Sequence, residues 1–289
     1  MGEFKDSITK EFMSSIERVD MFFSGRMDSS SFIGARKSHA KGSSLDFSDF
    51  REYIQGDDIR RLDWNSYARF DKLFMKIFEE ERQADINIFI DVSKSMSVET
   101  LKSVYSRQIA FAITYIALKN TDRVNIFVFG NGIKSKKLKL QSISKMNEII
   151  DFMDNIEYDG ETDISKSIKD GSLDINGRGI SYIISDFLSD ENFMDTIKLL
   201  LYKKQEVSVI HTLSEKDENP EIYGNIRLID VENSSKNIDI CVDKAIIESY
   251  KKELSNFKSK ISRFCKKNSI KYTYTLCGEK VYNTIIRAL

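Results

Sequence analysis

The chain has little of what punctuates or cross-links a protein. Its 289 residues include one proline, Pro220, and three cysteines, Cys241, Cys265 and Cys277, all near the end. An odd, sparse set without metal-ligand spacing argues against a disulfide framework and fits a reducing compartment; each reads as a small apolar core residue. Histidine is scarcer still. His39 and His211 stand far apart with no companion pattern, which leaves a His-based zinc centre or a Ser-His-Asp triad without support. No apolar run approaches the roughly 20 residues of a membrane span. The start, Met1 to Ser7, is charged where a secretory signal would be apolar, and Asp6 breaks the myristoylation pattern. Nor does charge of one sign dominate. Lys and Arg total 44 against 45 Asp and Glu, so the basic surface that nucleic-acid binding demands is missing. A cytoplasmic protein with no nucleic-acid partner and no membrane span is expected.

What is present is a soluble globular composition, 41 % hydrophobic and 31 % charged, with strand and helix patterns in alternation. Ile8, Phe12, Ile16, Val19 and Phe23 mark an amphipathic helix, and 28–41 reads as a surface loop rich in Ser, Gly and Lys. Buried strands are predicted at Ile86–Asp91, Arg123–Phe129, Gly179–Ile184, Glu206–Leu213 and Tyr272–Leu276. Between them fall helices over Glu99–Lys119, Ser142–Ile156, Ile164–Asp170, Asn192–Lys203 and a long one spanning Ile247–Phe264. In the first of these Leu101, Val104, Tyr105, Ile109, Ile113 and Ile116 form the expected buried side. Gly130-Asn131-Gly132 signals a tight hairpin. Its second strand, Ile133–Leu140, carries Lys134, Lys136, Lys137 and Lys139, as suits a charged edge. Asn225–Val231 and Asn237–Val242 suggest an exposed hairpin.

Strands alternating with helices predict a doubly wound, mostly parallel α/β sheet with one antiparallel edge strand. That is a von Willebrand factor A-like arrangement, expected over 81–289 with a hairpin insertion near 225–242. Residues 1–80 form an N-terminal extension packed on it. Ligands of such sheets bind at the carboxyl ends of the strands. There Ile86–Asp91 runs into Asp91-Val92-Ser93-Lys94-Ser95, Gly160-Glu161-Thr162 forms a later loop, and Ile184 is followed by Ser185-Asp186. Each element has a plainer reading: Asp91, Ser93 and Thr162 as helix caps, Asp186 as a turn residue.

Asp-x-Ser-x-Ser resembles the metal-ion-dependent adhesion site of von Willebrand factor A-like domains. That resemblance implies ligands Asp91, Ser93, Ser95, Thr162 and Asp186. All are hard oxygen donors, which points to Mg2+, with Mn2+ or Ca2+ as the other ions that suit them. An incoming carboxylate would complete the shell.

A second resemblance rests on Phe47, Arg51, Tyr53, Gly56, Asp57, Asp58, Arg60, Asp63 and Trp64, continued by Ala68-Arg69, Leu73, Lys76, Phe78 and Glu81-Arg82. This pattern is similar to the signature of the bacterial family numbered fifty-eight among domains of unknown function. It departs at Asp46, where the family more often has Glu. It also lacks the N-terminal membrane hairpin carried by many members, which favours a soluble form. The resemblance implies a non-enzymatic protein-interaction module, an adaptor or recruiter for a MoxR-type AAA+ ATPase acting on client proteins. Read from the residues alone, the signature segment is a salt-bridged connector anchored to a core by Trp64, with a charged docking surface as the alternative. Two other functions compete. One is a Mg2+-dependent phosphohydrolase with Asp91 as nucleophile, against which Ser93 stands where a second acid is usual. The other is a metal-free scaffold. No phosphate-binding Gly-x-x-x-x-Gly-Lys-Ser/Thr loop is present, so the chain is not itself the ATPase.

Overall fold

The computed structural model describes residues 3–25, 46–55, 57–79, 84–188, 193–229 and 237–289. The chain divides into two compact units, Met1–Met27 with Asp85–Leu289, and Asp28–Ala84. The expected division near residue 80 therefore differs at the N-terminus, where the first helices join the later domain. The reason is burial. In α1 (Glu3–Ser7) and α2 (Lys10–Gly25) the side chains of Phe4, Ile16 and Val19 are buried, and Phe4 meets Phe111 edge to face at 6.2 Å.

The smaller unit pairs β1 (Asp46–Glu52) antiparallel with β2 (Phe74–Glu79), and α3 (Trp64–Phe70) lies in the connection. The larger unit is built on β3 (Asp85–Asp91), α4 (Thr100–Lys119), β4 (Arg123–Gly130) and β5 (Gly132–Leu140). It continues with α5 (Met146–Asp154), α6 (Ile164–Ser172), β6 (Gly179–Ser185), α7 (Phe193–Tyr202) and β7 (Gln205–Leu213). Then come α8 (Glu215–Glu218), β8 (Gly224–Ile229), β9 (Asn237–Val242), α9 (Lys244–Lys267), β10 (Lys271–Leu276) and α10 (Val281–Ala288).

Six strands form the central sheet in the order β10-β7-β6-β3-β4-β5. Every pairing is parallel except β4 with β5. The chain thus starts in the middle, winds outward to one edge and returns to build the other, the doubly wound order whose reversal leaves a crevice beside the first strand. This is the von Willebrand factor A-like α/β fold. Because β3 is covered on both faces it reads as a near-continuous apolar run, and all its residues after Asp85 are buried. Phe89, Phe127, Ile183 and Val209 pack on one face with α6, α7 and α9 residues such as Ile168, Ile197 and Ile261. Ile86, Ile88, Ile90 and Ile126 occupy the alternate face and are buried as well. Helix α4 is buried on nearly every side, because α1, α2 and α10 cover what the sheet does not.

At the antiparallel edge the turn is as tight as Gly130-Asn131-Gly132 predicts, with Gly132 at φ 95°, a conformation natural to glycine. Three of the β5 lysines are engaged by neighbouring groups. Lys136 pairs with Asp174 at 2.7 Å, Lys137 with Glu148, and Lys134 donates to the Asp159 carbonyl. The second hairpin pairs Leu228 with Ile238, both exposed; 230–236 lie outside the described residues. Cys265 and Cys277 are buried as expected, whereas Cys241, on β9, is exposed. Among the described residues no helix is long and apolar enough to cross a membrane.

Candidate functional site at the carboxyl edge of the sheet

The chain leaves β3 at Asp91 and is at once stitched to its neighbours. Val92 N–H donates to the Phe129 carbonyl (2.8 Å) and Lys94 N–H to that of Gly160 (3.1 Å). Asp159 N–H reaches back to Val92 (3.2 Å), and Asp163 N–H bonds Gly130 (3.0 Å). These bonds draw the loop before α6 over the end of β3. Gly160, at φ 75° and with open space around its α-carbon, makes the turn. The third loop enters through the β3–β6 ladder, where Ile90 lies beside Ile184 and so brings Ser185 to the level of Asp91.

The result is a compact set of oxygens. Asp91 is buried; its Oδ1 accepts from the Ser93 amide at 2.9 Å and from the Thr162 hydroxyl at 3.1 Å, and its Oδ2 accepts from the Ser185 hydroxyl at 2.5 Å. The hydroxyls of Ser93 and Ser95 are 3.0 Å apart. Ser93 is closed off, while Ser95 and Thr162 are half-buried, so the set opens to solvent on their side. Burial, then the charge of Asp186, push the Asp91 carboxyl up to about 7, although the Ser185 hydroxyl opposes the shift.

The plainer readings fare unequally. Helix α6 is capped by Asp163, whose Oδ1 accepts from Lys166 N–H at 2.7 Å, so Thr162 is free to turn to Asp91. Ser93 precedes a 3-10 turn over Lys94–Ser97 but makes no side-chain cap bond to it. Asp186 does serve as a turn residue, its Oδ1 accepting from Leu188 N–H at 3.2 Å. Its Oδ2 is taken by the Lys102 ammonium at 2.9 Å. Four of the five predicted residues therefore face one another, and the fifth stands beside them committed to a lysine. That lysine was not foreseen. In α4 it is Lys102 that is buried and Leu101 that is exposed, reversing the expected sides, because Asp186 and Asp217 (2.9 Å) both receive the ammonium. Burial would lower its pKa, but the two carboxylates outweigh burial and hold it above its ordinary value. The turn after Asp186 is strained, with Phe187 at φ 54°. Packing of its ring 5.1 Å from Phe193 and 5.6 Å from His211 secures it.

Among the described residues no group of three or more His, Cys, Asp or Glu stands where it could hold a metal. The donor set here is of another kind, mainly hydroxyls. Adjacent ligands of an octahedral Mg2+ with bonds near 2.1 Å lie about 3 Å apart. The spacings of 3.0 Å for Ser93–Ser95 and 3.1 Å for Asp91–Thr162 match that edge. On chemistry and spacing, these residues fit a hard cation.

In the smaller unit the signature charges brace the backbone. Asp57 accepts from Arg51 at 2.7 Å and from Ile54 N–H at 3.0 Å, which holds its carboxyl below the usual range. Asp58 caps the following turn through Arg60 N–H at 3.1 Å, and buried Asp63 accepts from Ser66 at 2.6 Å. Trp64 does not anchor to a core. It is 62 % exposed, T-stacked on Tyr67 at 6.4 Å, and α3 has no buried residue at all.

The chain matches, over residues 49–259, the family described as protein of unknown function DUF58, and it belongs to that family. Uncharacterized proteins of Mycobacterium tuberculosis and Mycobacterium bovis are each 24 % identical to it over 220 residues, which is 74 % of this chain and 68 % of theirs. Among solved structures it is similar to the conserved hypothetical protein BatB from Bacteroides thetaiotaomicron. There the TM-score is 0.44 at 14 % identity, over 70 % of this chain and 95 % of BatB. It is also similar to a von Willebrand factor type A protein from Catenulispora acidiphila, with a TM-score of 0.37 at 11 % identity, over 49 % of this chain and 35 % of that one.

Proposed function

We propose that this protein is a non-enzymatic interaction module in which Asp91, Ser93, Ser95 and Thr162 hold a divalent cation. Mg2+ suits the donors best, with Mn2+ and Ca2+ also suited. The observation that carries the reading is the mutual spacing of these oxygens at the sheet edge. The bound cation supplies positive charge at a position open to one more oxygen ligand. Three hydroxyls leave that charge poorly neutralised, so a partner's carboxylate is the fitting ligand. Asp91 contributes negative charge to the set, and Ser185 and the Ser93 amide hold its carboxyl in place. Val98 and Leu188, on loops at this edge, and Leu101, in the first turn of α4, are exposed and offer apolar contact beside the polar anchor. The family resemblance suggests who binds: a MoxR-type AAA+ ATPase, with this chain recruiting clients to it.

The test has two arms. Mg2+ or Mn2+ should raise the melting temperature of the wild type and leave Asp91→Ala unmoved, and an unmoved wild type defeats the metal reading. Binding of the ATPase should weaken in Ser95→Ala and Thr162→Ala. Phosphatase turnover that depends on Asp91 would replace the module with an enzyme.

A further inference from the structure

Lys102 sits in the first turn of α4, 3 % exposed. Its position is unfavourable twice over. A helix N-terminus repels positive charge, and burial of an ammonium is costly unless it is paired. Two carboxylates offset these costs, Asp186 from the end of β6 and Asp217 from α8, each 2.9 Å away. The Asp217 carboxylate is itself pinned. Its Oδ2 also accepts from Ser214 N–H at 2.9 Å, while Asp217 N–H donates to the Ser214 hydroxyl at 3.1 Å. An apolar side chain would fill a buried helix position at no such cost, so this arrangement serves something other than packing.

We propose that Lys102 is a resident counter-cation that holds Asp186 out of the oxygen set and thereby sets a low intrinsic affinity of this edge for divalent ions. The inference rests on the metal reading of Asp91, Ser93, Ser95 and Thr162. The physical argument is one of charge. Both Asp186 oxygens are engaged, one by Leu188 N–H and one by the ammonium. Among the described residues Asp91 is the carboxylate bonded into the set, and a dication there meets the repulsion of an ammonium held by the neighbouring Asp186, which a buried medium screens weakly. While it is paired with the ammonium, Asp186 brings little net negative charge to an ion, and Lys102 keeps Asp217 as its second partner should Asp186 turn to the oxygens. Tight binding then calls for a negative ligand from outside, which makes occupancy conditional on an acidic partner.

Titration with Mn2+ alone, followed by calorimetry or by the loss of free-ion paramagnetic signal, tests this on the full chain. Lys102→Gln removes the ammonium and retains one donor for Asp186; it should bind Mn2+ at least about tenfold more tightly than wild type, the scale of changes beside metal ligands. Asp217→Asn leaves the ammonium to Asp186 alone and should weaken binding by a similar factor. Should Lys102→Gln fail to fold, Asp217→Asn decides by itself. Dissociation constants for Mn2+ within twofold of wild type in whichever variants fold overturn the role of Lys102 while the metal reading stands. No titration in any protein, wild type included, overturns that reading and this inference with it.

Discussion

The Ser185 hydroxyl donates to Asp91 Oδ2 at 2.5 Å across the β3–β6 ladder, and Ser185 Oγ in turn accepts from Phe187 N–H at 2.9 Å. One buried side chain thus orients the carboxylate and satisfies the strained turn behind it. Ser185→Ala removes both bonds. Hydrogen bonds to charged groups contribute about 1.5–3 kcal/mol, so denaturant unfolding should show a loss of about 2 kcal/mol. Mn2+ affinity should fall roughly tenfold as the carboxyl loses its fixed orientation.

Asp91 itself carries a stability cost in the folded chain. Its pKa rises from 3.8 in the unfolded chain to about 7 in the fold, so the folded state holds a proton the unfolded state has released. The penalty is absent below pH 3.8, grows as pH rises, and is complete above about 7. Asp91→Asn keeps an oxygen for the Ser93 amide and removes the charge. In chelator at pH 8 the variant should melt higher than wild type, and Mg2+ should no longer shift it. A lower melting temperature in chelator would mean that the buried charge is already neutralised by its hydrogen bonds.

His211 has the opposite sign. Burial lowers its pKa from 6.5 to about 4, so the unfolded state takes the proton first and stability is lost as pH falls from about 6.5 towards 4. The shift corresponds to roughly 3 kcal/mol. Asp91 gains stability over nearly the same range, so the wild-type profile should be shallow there. Two variants separate the effects. Asp91→Asn should lose stability steadily between pH 6.5 and 4, whereas His211→Gln, which can still bond the Tyr272 hydroxyl, should gain it between pH 7 and 4. Parallel profiles in both variants would rule out this pair as the source.

What could be read from the sequence follows the range of the interactions. Asp91, Ser93 and Ser95 are neighbours in the chain, and the strand-end rule of doubly wound sheets places Thr162 and Ser185-Asp186 at the same edge. The hairpin was legible because Gly132 needs a positive φ that few residues adopt. Lys102 was not legible. Its partners lie 84 and 115 residues away, and within α4 it interrupts an otherwise consistent apolar side, so Leu101 took its place in the pattern. Strand β1 and helix α3 were hidden for another reason. Neither an alternating nor a helical apolar stripe marks them, since α3 buries nothing and the charges around it bond to turn backbone.

Trp64 gives the last prediction. An aromatic that anchors a core loses about 3–5 kcal/mol on truncation to Ala, and that was the expectation for a salt-bridged connector. At 62 % exposure, with Tyr67 and Phe70 also exposed on the same short helix, little burial is lost. Surface changes of this kind stay within about 0.5 kcal/mol. Trp64→Ala should therefore unfold at nearly the wild-type denaturant concentration. An exposed Trp–Tyr pair flanked by Arg60 and Arg69 has the composition of binding hot spots, so under the proposed partnership the same variant should bind a MoxR-type AAA+ ATPase more weakly by tenfold or more. Asp57→Ala should behave in reverse, because Asp57 holds the Ile54 amide and the Arg51 guanidinium within the turn. A Trp64→Ala protein that is destabilised by several kcal/mol would return this residue to a structural role.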